Sequence, residues 1–266
     1  MDRRVSAATL RTPFPANWWA RTLWAALALY VLYACGILDV SWDRFVRGLD
    51  NGAKFLDRMF PPDFSRQKME LLQVGMIESM QIAVLSTAAG VVLSLPLGLL
   101  AARNLMPGWV SWGARGVIAL CRSFHPVITA ILFVKAVGFG ALAGVLALIV
   151  ASMGFISKLF AEAIEEMNLK QVEAVRATGA GFFNVLIMGV FPQVIARFIG
   201  FSVYQLDSNL RNSTMVGIVG GGGIGATLFT AYQRFDYDFV LTILLAIIAV
   251  IMVAEIVSAQ LRKAFQ

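Results

Sequence analysis

Charge is scarce in this sequence. Asp, Glu, Lys and Arg make up 14% of the 266 residues and apolar residues 59%, against about 25% and roughly 45–50% in soluble domains. That balance excludes an ordinary water-soluble domain and points to a chain immersed in lipid. Histidine occurs once and cysteine twice, at Cys35 and Cys121, so neither a Cys/His metal site nor a disulfide framework can be built. There is no G-x-x-x-x-G-K-[ST] phosphate loop, no H-E-x-x-H and no G-x-S-x-G. The longest polar stretch is about 35 residues, too short for a separate catalytic core. Net charge is +6, but no basic stripe alternates with aromatics, which excludes a nucleic-acid surface. The Lys and Arg excess reads instead as the positive bias of cytoplasmic loops.

What is abundant is apolar sequence in runs. A bilayer crossing takes about 20 residues, and six runs qualify: 19–38, 79–102, 113–137, 141–160, 194–218 and 239–259. The expected fold is all-α, a polytopic membrane protein with about six transmembrane helices. No internal repeat or linker divides it. Residues 1–70 hold the N-terminal tail, the first span and an outer segment, and residues 71–266 hold the transmembrane domain. Arg3, Arg4 and Arg11 before the first run resemble a signal peptide, but bulky Tyr33 in LYAC argues against cleavage and the run is long enough to remain as a helix. Arg3, Arg4, Arg11 and Arg21, then Arg103 and Arg115, then Lys158, Lys170 and Arg176, then Arg262 and Lys263 all fall on one side of a six-span chain. That side is cytoplasmic, with both termini. Segment 39–70 lies on the other side and carries six basic and six acidic residues.

Candidate chemistry is confined to a few places. Glu162, Glu165, Glu166 and Glu173 sit in the fourth loop and read as a solvated helix face rather than as acid/base catalysts. The same loop reads as a short amphipathic helix with Val172, Ala174 and Val175 on one side and Glu173 and Arg176 facing out. Gly179 and Gly181 end it, and the chain re-enters the membrane near Pro192. Such a helix is a handle for another protein. Arg122, His125 and Lys135 lie in or near the third run, where a buried charge is costly and marks a path or a snorkelling side chain. In the fifth run Asp207 and Arg211 stand at i,i+4 and can pair, and Asn209, Asn212, Ser213 and Thr214 add a polar band. Arg122, His125, Asp207, Asn209, Arg211 and Ser213 are the expected lining of a solute pathway.

MVGIVGGGGIGATLF, Met215–Phe229, contains G-x-G-x-x-G at Gly220, Gly222 and Gly225. A dinucleotide turn needs a βαβ unit, but a spanning run follows instead. The glycines come 26 residues after Val194, which is about 39 Å of helix, at the far side from cytoplasmic nucleotides. Consecutive glycines cost about 1 kcal/mol each in a helix. Gly220, Gly221, Gly222, Gly223 and Gly225 are therefore expected to break the helix in a close-packed segment at the outer gate of the path.

The loop pattern resembles the E-A-A-x3-G-x9-I-x-L-P motif of bacterial ATP-binding-cassette (ABC) importer permeases. Glu173 and Ala174 match its first positions, Gly179 its glycine and Pro192 its proline, while Val175, Gly189 and Phe191 depart from it. MFPPDFS (Met59–Ser65), ATGA (Ala177–Ala180), SNLR (Ser208–Arg211), VGGGGIG (Val219–Gly225) and SAQLRKAF (Ser258–Phe265) together resemble the phosphonate-importer permease family. The resemblance implies a type I ABC importer permease bundle in the bacterial inner membrane, not itself an enzyme, moving phosphonate or a phosphite-like oxyanion by alternating access. Glu173–Gly179 would be the coupling helix on a separate ABC ATPase. Implied partners are that ATPase, which binds ATP and Mg so that this chain needs no cofactor, a periplasmic or lipid-anchored phosphonate-binding protein, membrane lipids and a second permease copy in a homodimer. An importer permease for an amino acid or phosphate ester is the alternative. An ion-coupled carrier has only Asp207, Glu78 or Glu255 to offer, and an intramembrane phosphotransferase lacks its Asp/His/Ser cluster.

Overall fold

A computed structural model describes residues 18–38 and 41–265, with side chains to residue 260. Arg3, Arg4 and Arg11, and the side chains of Arg262 and Lys263, used above for orientation, lie outside the described residues. Among the described residues every regular element is helical. The chain forms two units, residues 1–58 and 59–266.

The first unit holds α1 (Trp18–Ile37) and α2 (Trp42–Met59). α1 is mostly apolar, with Arg21 and Thr22 near its start, buries no residue and is long enough to cross a membrane. α2 occupies what reads by composition as a mixed-charge segment. Trp42, Phe45, Val46, Leu49, Ala53 and Leu56 recur at spacings of three and four, a helical period that charge counting overlooked. Residues 59–70, grouped with the N-terminal part by composition, pack in the larger unit: Met59 is buried beside Leu72, and Asp63 pairs with Lys68 at 2.7 Å.

In the larger unit α3 (Arg66–Ala101) has 36 residues, about 54 Å of helix, and starts 13 residues before the apolar run at Ser79. Gly75, Ser79, Ser86, Gly90, Ser94 and Gly98 form its buried stripe. Small residues let helix backbones approach where lipid supplies no hydrophobic drive. α6 (Ala141–Glu165) uses the space. A Cβ on Gly90 would lie 2.5 Å from Ser152 Cβ, and one on Gly98 2.7 Å from Phe160 Cδ1. Arg103 N donates to Glu165 Oε1 at 2.8 Å. Partners rise together along both helices, so α3 and α6 are parallel.

Parallel neighbours require the chain to return between them. The expected single third span is two helices, α4 (Gly108–Ser123) and α5 (Pro126–Val137), bent by 89°. The break has a local cause. A residue before proline disfavours the helical region, and Phe124 and His125 are both extended. α4 starts beside the end of α3, with Ser111 Oγ donating to Ala101 O at 2.7 Å. Past α5, Gly140 N donates to Gly220 O at 2.9 Å, at the opposite end. The bent pair therefore makes one complete crossing.

α7 (Leu169–Ala177) lies in the loop after α6. α8 (Phe182–Val185) runs through a π-helical turn, Leu186–Val190, into α9 (Phe191–Val216), and a second π turn, Gly217–Gly221, ends α9. α10 (Ile224–Gln233) and the long α11 (Tyr237–Phe265) follow. The core is layered along the crossings. Phe160, Ile164, Val172, Val190, Val194 and Phe198 fill the α7 end. Ile82, Leu148 and Val216 fill the middle, and Leu72, Ile224, Phe239 and Ile243 the glycine end.

Candidate functional site

Three places carry the polar chemistry. The first is midway along the bundle, on α4–α5, α6 and α9. Asn209 is wholly buried and joins three helices: its Nδ2 donates to Thr87 Oγ1 at 2.8 Å and Ser152 Oγ at 2.8 Å, and its Oδ1 accepts from Gln205 Nε2 at 3.0 Å. Ser213 is also buried and donates to Leu210 O at 2.8 Å. In this conformation both side chains are satisfied inside the protein and present nothing to a solute. Asp207 is buried and paired with Arg211 as the i,i+4 spacing predicts, but its Oδ1 has no partner among the described residues.

Arg211 itself is 46% exposed, and Tyr204, two turns earlier on the same helix face, 48%. Tyr204 stacks on Phe155 with ring centroids 5.6 Å apart. One residue away, Gly154 opens space for Arg122: a Cβ there would lie 3.0 Å from Arg122 Cγ. Arg122, Phe155 and Tyr204 therefore share one level of α6. Arg122 is exposed and has no acidic partner within bonding distance among the described residues. His125, also exposed, caps α5, its Nδ1 accepting from Val127 N at 3.3 Å. That bond requires Nδ1 to be unprotonated and leaves Nε2–H as a donor. Arg122 and Arg211 thus lie on the surface of an otherwise apolar bundle at mid-depth. Such charges do not face lipid. Tyr204 is the member of this group that residue-type reasoning passed over, because only the α6 contact singles it out.

The second place is α7. Asn168 caps its start, its Oδ1 accepting from Lys170 N at 3.0 Å. Gly179 closes its end at φ +78°, in the left-handed region that favours glycine. Val172 is buried and Val175 half-buried, while Glu173, Ala174 and Arg176 are exposed. Ala174 is on the outer face, not the packed one, because the packed side narrows to Val172 and Val175 over the π turn. A Cβ on Gly189 would stand 3.3 Å from Val172 Cα, so glycine here admits α7 where the motif has an aliphatic. Pro192 lies in the first turn of α9. Its ring and missing N–H disfavour a regular helix just before it, where the wider π turn sits. Gln193 ties the parts together: its Oε1 accepts from Asn168 N at 3.1 Å and its Nε2 donates to Gly189 O at 2.6 Å. Arg197 adds an ion pair to Glu166 at 2.7 Å. α7 is in this way fastened to α9, the helix that carries Tyr204 and Arg211.

The third place is the glycine segment, at the bundle end opposite α7. The helix breaks as expected: φ is +100° at Gly220, +80° at Gly222 and +72° at Gly223. Side chains are excluded as well. A Cβ on Gly225 would lie 1.9 Å from Thr214 O, on Gly217 2.4 Å from Gly222 O, and on Gly221 2.4 Å from Val216 Cγ1. Ile224 N, the first N–H of α10, donates to Ser79 Oγ at 2.8 Å. The segment therefore locks α3, α6, α9 and α10 together.

Comparison with known proteins is consistent with this layout. Residues 94–266 match the family model for the binding-protein-dependent transport system inner membrane component. The chain is 39% identical over 258 residues to the phosphite transport system permease protein PtxC of Stutzerimonas stutzeri, covering 95% of this chain and 92% of that one. It is also 39% identical over 229 residues to the phosphate-import permease protein PhnE of Mycolicibacterium smegmatis, covering 85% of this chain and 42% of that longer one. Among solved structures, an inward-facing chain of the MetNI methionine ABC transporter superposes with a TM-score of 0.68 at 22% identity, over 76% of this chain and all, 100%, of its own.

Proposed function

Because the chain belongs to the binding-protein-dependent transport system inner membrane components, the permease subunits of ABC importers, we propose that it carries a phosphite- or phosphonate-type oxyanion across the inner membrane. The observation that carries the oxyanion reading is the exposed positive potential at mid-depth. Arg122 is unneutralised, His125 offers an Nε2–H, and Arg211 sits half-exposed beside its carboxylate. Guanidinium groups suit oxyanions because their fixed fork of N–H donors matches the oxygen geometry. A single chain leaves this band on an open surface. A second copy set against it would enclose the band and form the pathway, so the working unit is a homodimer.

ATP binding and hydrolysis belong to a partner ATPase, and a binding protein delivers the solute at the glycine end. α7 is the coupling helix. Its exposed face, with Glu173 and Ala174, docks on the ATPase, while Val172 and Gln193 carry its displacement into α9 and so to Tyr204, Arg211 and the glycine lock. The α7 end is cytoplasmic in this reading, with both termini on that side. Two discrete arrangements of α9 against α3 and α6 would give alternating access.

The test is ATPase stimulation of the reconstituted complex, with its binding protein, by phosphite, methylphosphonate, phosphate and methionine. Stimulation by phosphite or methylphosphonate, abolished by Arg122→Ala, is the expected result. Stimulation by methionine alone would overturn the oxyanion reading.

A further inference from the structure

Up to Arg58, α2 is a helix with no buried residue. Six of its apolar residues, Trp42, Phe45, Val46, Leu49, Ala53 and Leu56, project within an arc of about 100° at 100° per residue, while Phe55 and Met59 fall outside it. Phe45, Leu49 and Leu56 are 56%, 61% and 57% exposed. Neither Gly48 nor Gly52 has an atom of any neighbour within 4 Å of where a Cβ would stand. The opposite arc holds every charge of the helix: Asp43, Asp50 and Asp57 at seven-residue intervals, then Arg47, Lys54 and Arg58, with Arg44 beyond them. Lys54 pairs with Asp50 at 2.5 Å, and Arg47 Nε donates to Asp43 O at 3.2 Å. The charged arc thus carries one ion pair along the helix, and the apolar arc contains no charge at all.

Its position in the chain decides what can cover the apolar arc. α1, none of whose 20 residues is buried, ends at Ile37, and α2 begins at Trp42. Five peptide steps reach at most about 17 Å. The zone between hydrocarbon and water is roughly 5–8 Å thick on each side, so the start of α2 stays within about 17 Å of the end of α1 and within reach of that zone. A helix with one apolar arc, a fully charged opposite arc and low overall hydrophobicity is the form that lies in a bilayer interface. Trp42 opens the helix, and indole rings favour that level. We propose that α2 lies flat in the lipid interface of the leaflet in which α1 ends, with Phe45, Leu49 and Leu56 in the acyl region. There it fixes α1 to that surface as an anchor parallel to the membrane. The proposal does not depend on the solute or on α7.

The test uses the full complex in phosphatidylethanolamine/phosphatidylglycerol vesicles. Nitroxide labels are attached to single cysteines on a Cys35→Ser, Cys121→Ser background. Phe45→Cys, Leu49→Cys and Leu56→Cys report the apolar arc, and Arg47→Cys, Asp50→Cys and Lys54→Cys the charged one. The expected result is an oxygen-to-nickel accessibility ratio that oscillates with the 3.6-residue helical period. It is high at 45, 49 and 56, at a depth of about 5–10 Å. Equal, nickel-dominated accessibility on both arcs would place α2 in water and overturn the proposal. Apolar-arc labels shielded from both reagents would mean that protein covers the arc, from the binding protein or a second copy, and would overturn it equally. Only variants that retain uptake are scored, so a folding defect cannot imitate either outcome.

Discussion

Replacing Gln193 with alanine should uncouple ATP hydrolysis from transport. The Gln193 amide makes three contacts: Asn168 N to Oε1 at 3.1 Å, Nε2 to Gly189 O at 2.6 Å, and Nε2 to Asn168 O at 3.4 Å. The last is too long to count for much. Only the Asn168–Gln193 bond crosses from α7 to α9, because Gly189 lies in the π turn that runs directly into α9. At the low end of about 0.5–1.5 kcal/mol, since Asn168 is exposed and water can replace it, that bond contributes about 0.5–1 kcal/mol. What remains between α7 and α9 among the described residues is the packing of Val172 in one apolar cluster with Val190, Val194 and Phe198 and its contact with Gly189. The Arg197–Glu166 pair, whose side chains are 55% and 67% exposed, ties α9 to the end of α6 just before α7. An exposed pair of that kind contributes about 0–1 kcal/mol. Losing about 0.5–1 kcal/mol corresponds to roughly a 2–5-fold change in the population of the fastened state. Gln193→Ala should therefore keep ATPase activity while solute moved per ATP falls several-fold. The assay measures both fluxes in the same proteoliposomes. An unchanged ratio, or an equal fall in both with the complex intact, would refute the linkage.

Gly144→Val should disrupt the glycine lock, because its Cβ would stand 2.3 Å from Gly221 O, whereas Gly113→Ala meets nothing within 4 Å and should be neutral. Overpacking of this kind costs about 1–3 kcal/mol, visible as a lowered melting temperature of the purified protein and lost uptake. Arg211→Ala leaves the buried Asp207 carboxylate without the one cation that pairs with it among the described residues and should destabilise by about 1–3 kcal/mol. The double variant Asp207→Asn, Arg211→Gln should melt closer to the native chain than Arg211→Ala does, and the opposite order would show that the pair is not what holds α9. Near the glycine end, the hydrogen bond from Lys68, followed by that from Ser65 N, holds the Asp63 carboxyl below its ordinary pKa. A depressed folded pKa stabilises above the unfolded value, about 3.9, and the contribution is lost as pH falls through the folded value. Acid melts should therefore lose a component below about pH 4 that Asp63→Asn lacks, and identical acid profiles would show the contact to be idle.

The apolar runs were legible because hydropathy over about 20 residues is a one-dimensional property. The glycine break was legible because consecutive glycines resist a helix in any context. α7 was legible from its caps, from Gly179 and from the motif resemblance. The bend at Phe124–His125 had a signal in Pro126, but an unbroken apolar run concealed it. α2 had a clear helical period, hidden by its balanced charge. Asn209 shows the opposite failure: a polar residue in a spanning helix reads as pathway lining, yet Ser86, Thr87, Ser152 and Gln205 satisfy it inside the bundle.

By itself the sequence determined that this chain lives in a membrane, that it crosses about six times, that the helix breaks at the glycine run, and which family it resembles. Those outcomes follow from transfer energies and backbone preferences that act residue by residue. Only the tertiary structure decided that α3 and α6 run parallel, that Arg122 meets the level of Tyr204, that Gln193 fastens α7 to α9, and which polar residues turn inward. Each of these joins residues distant in the chain, through contacts that exist only once small side chains let the helices close.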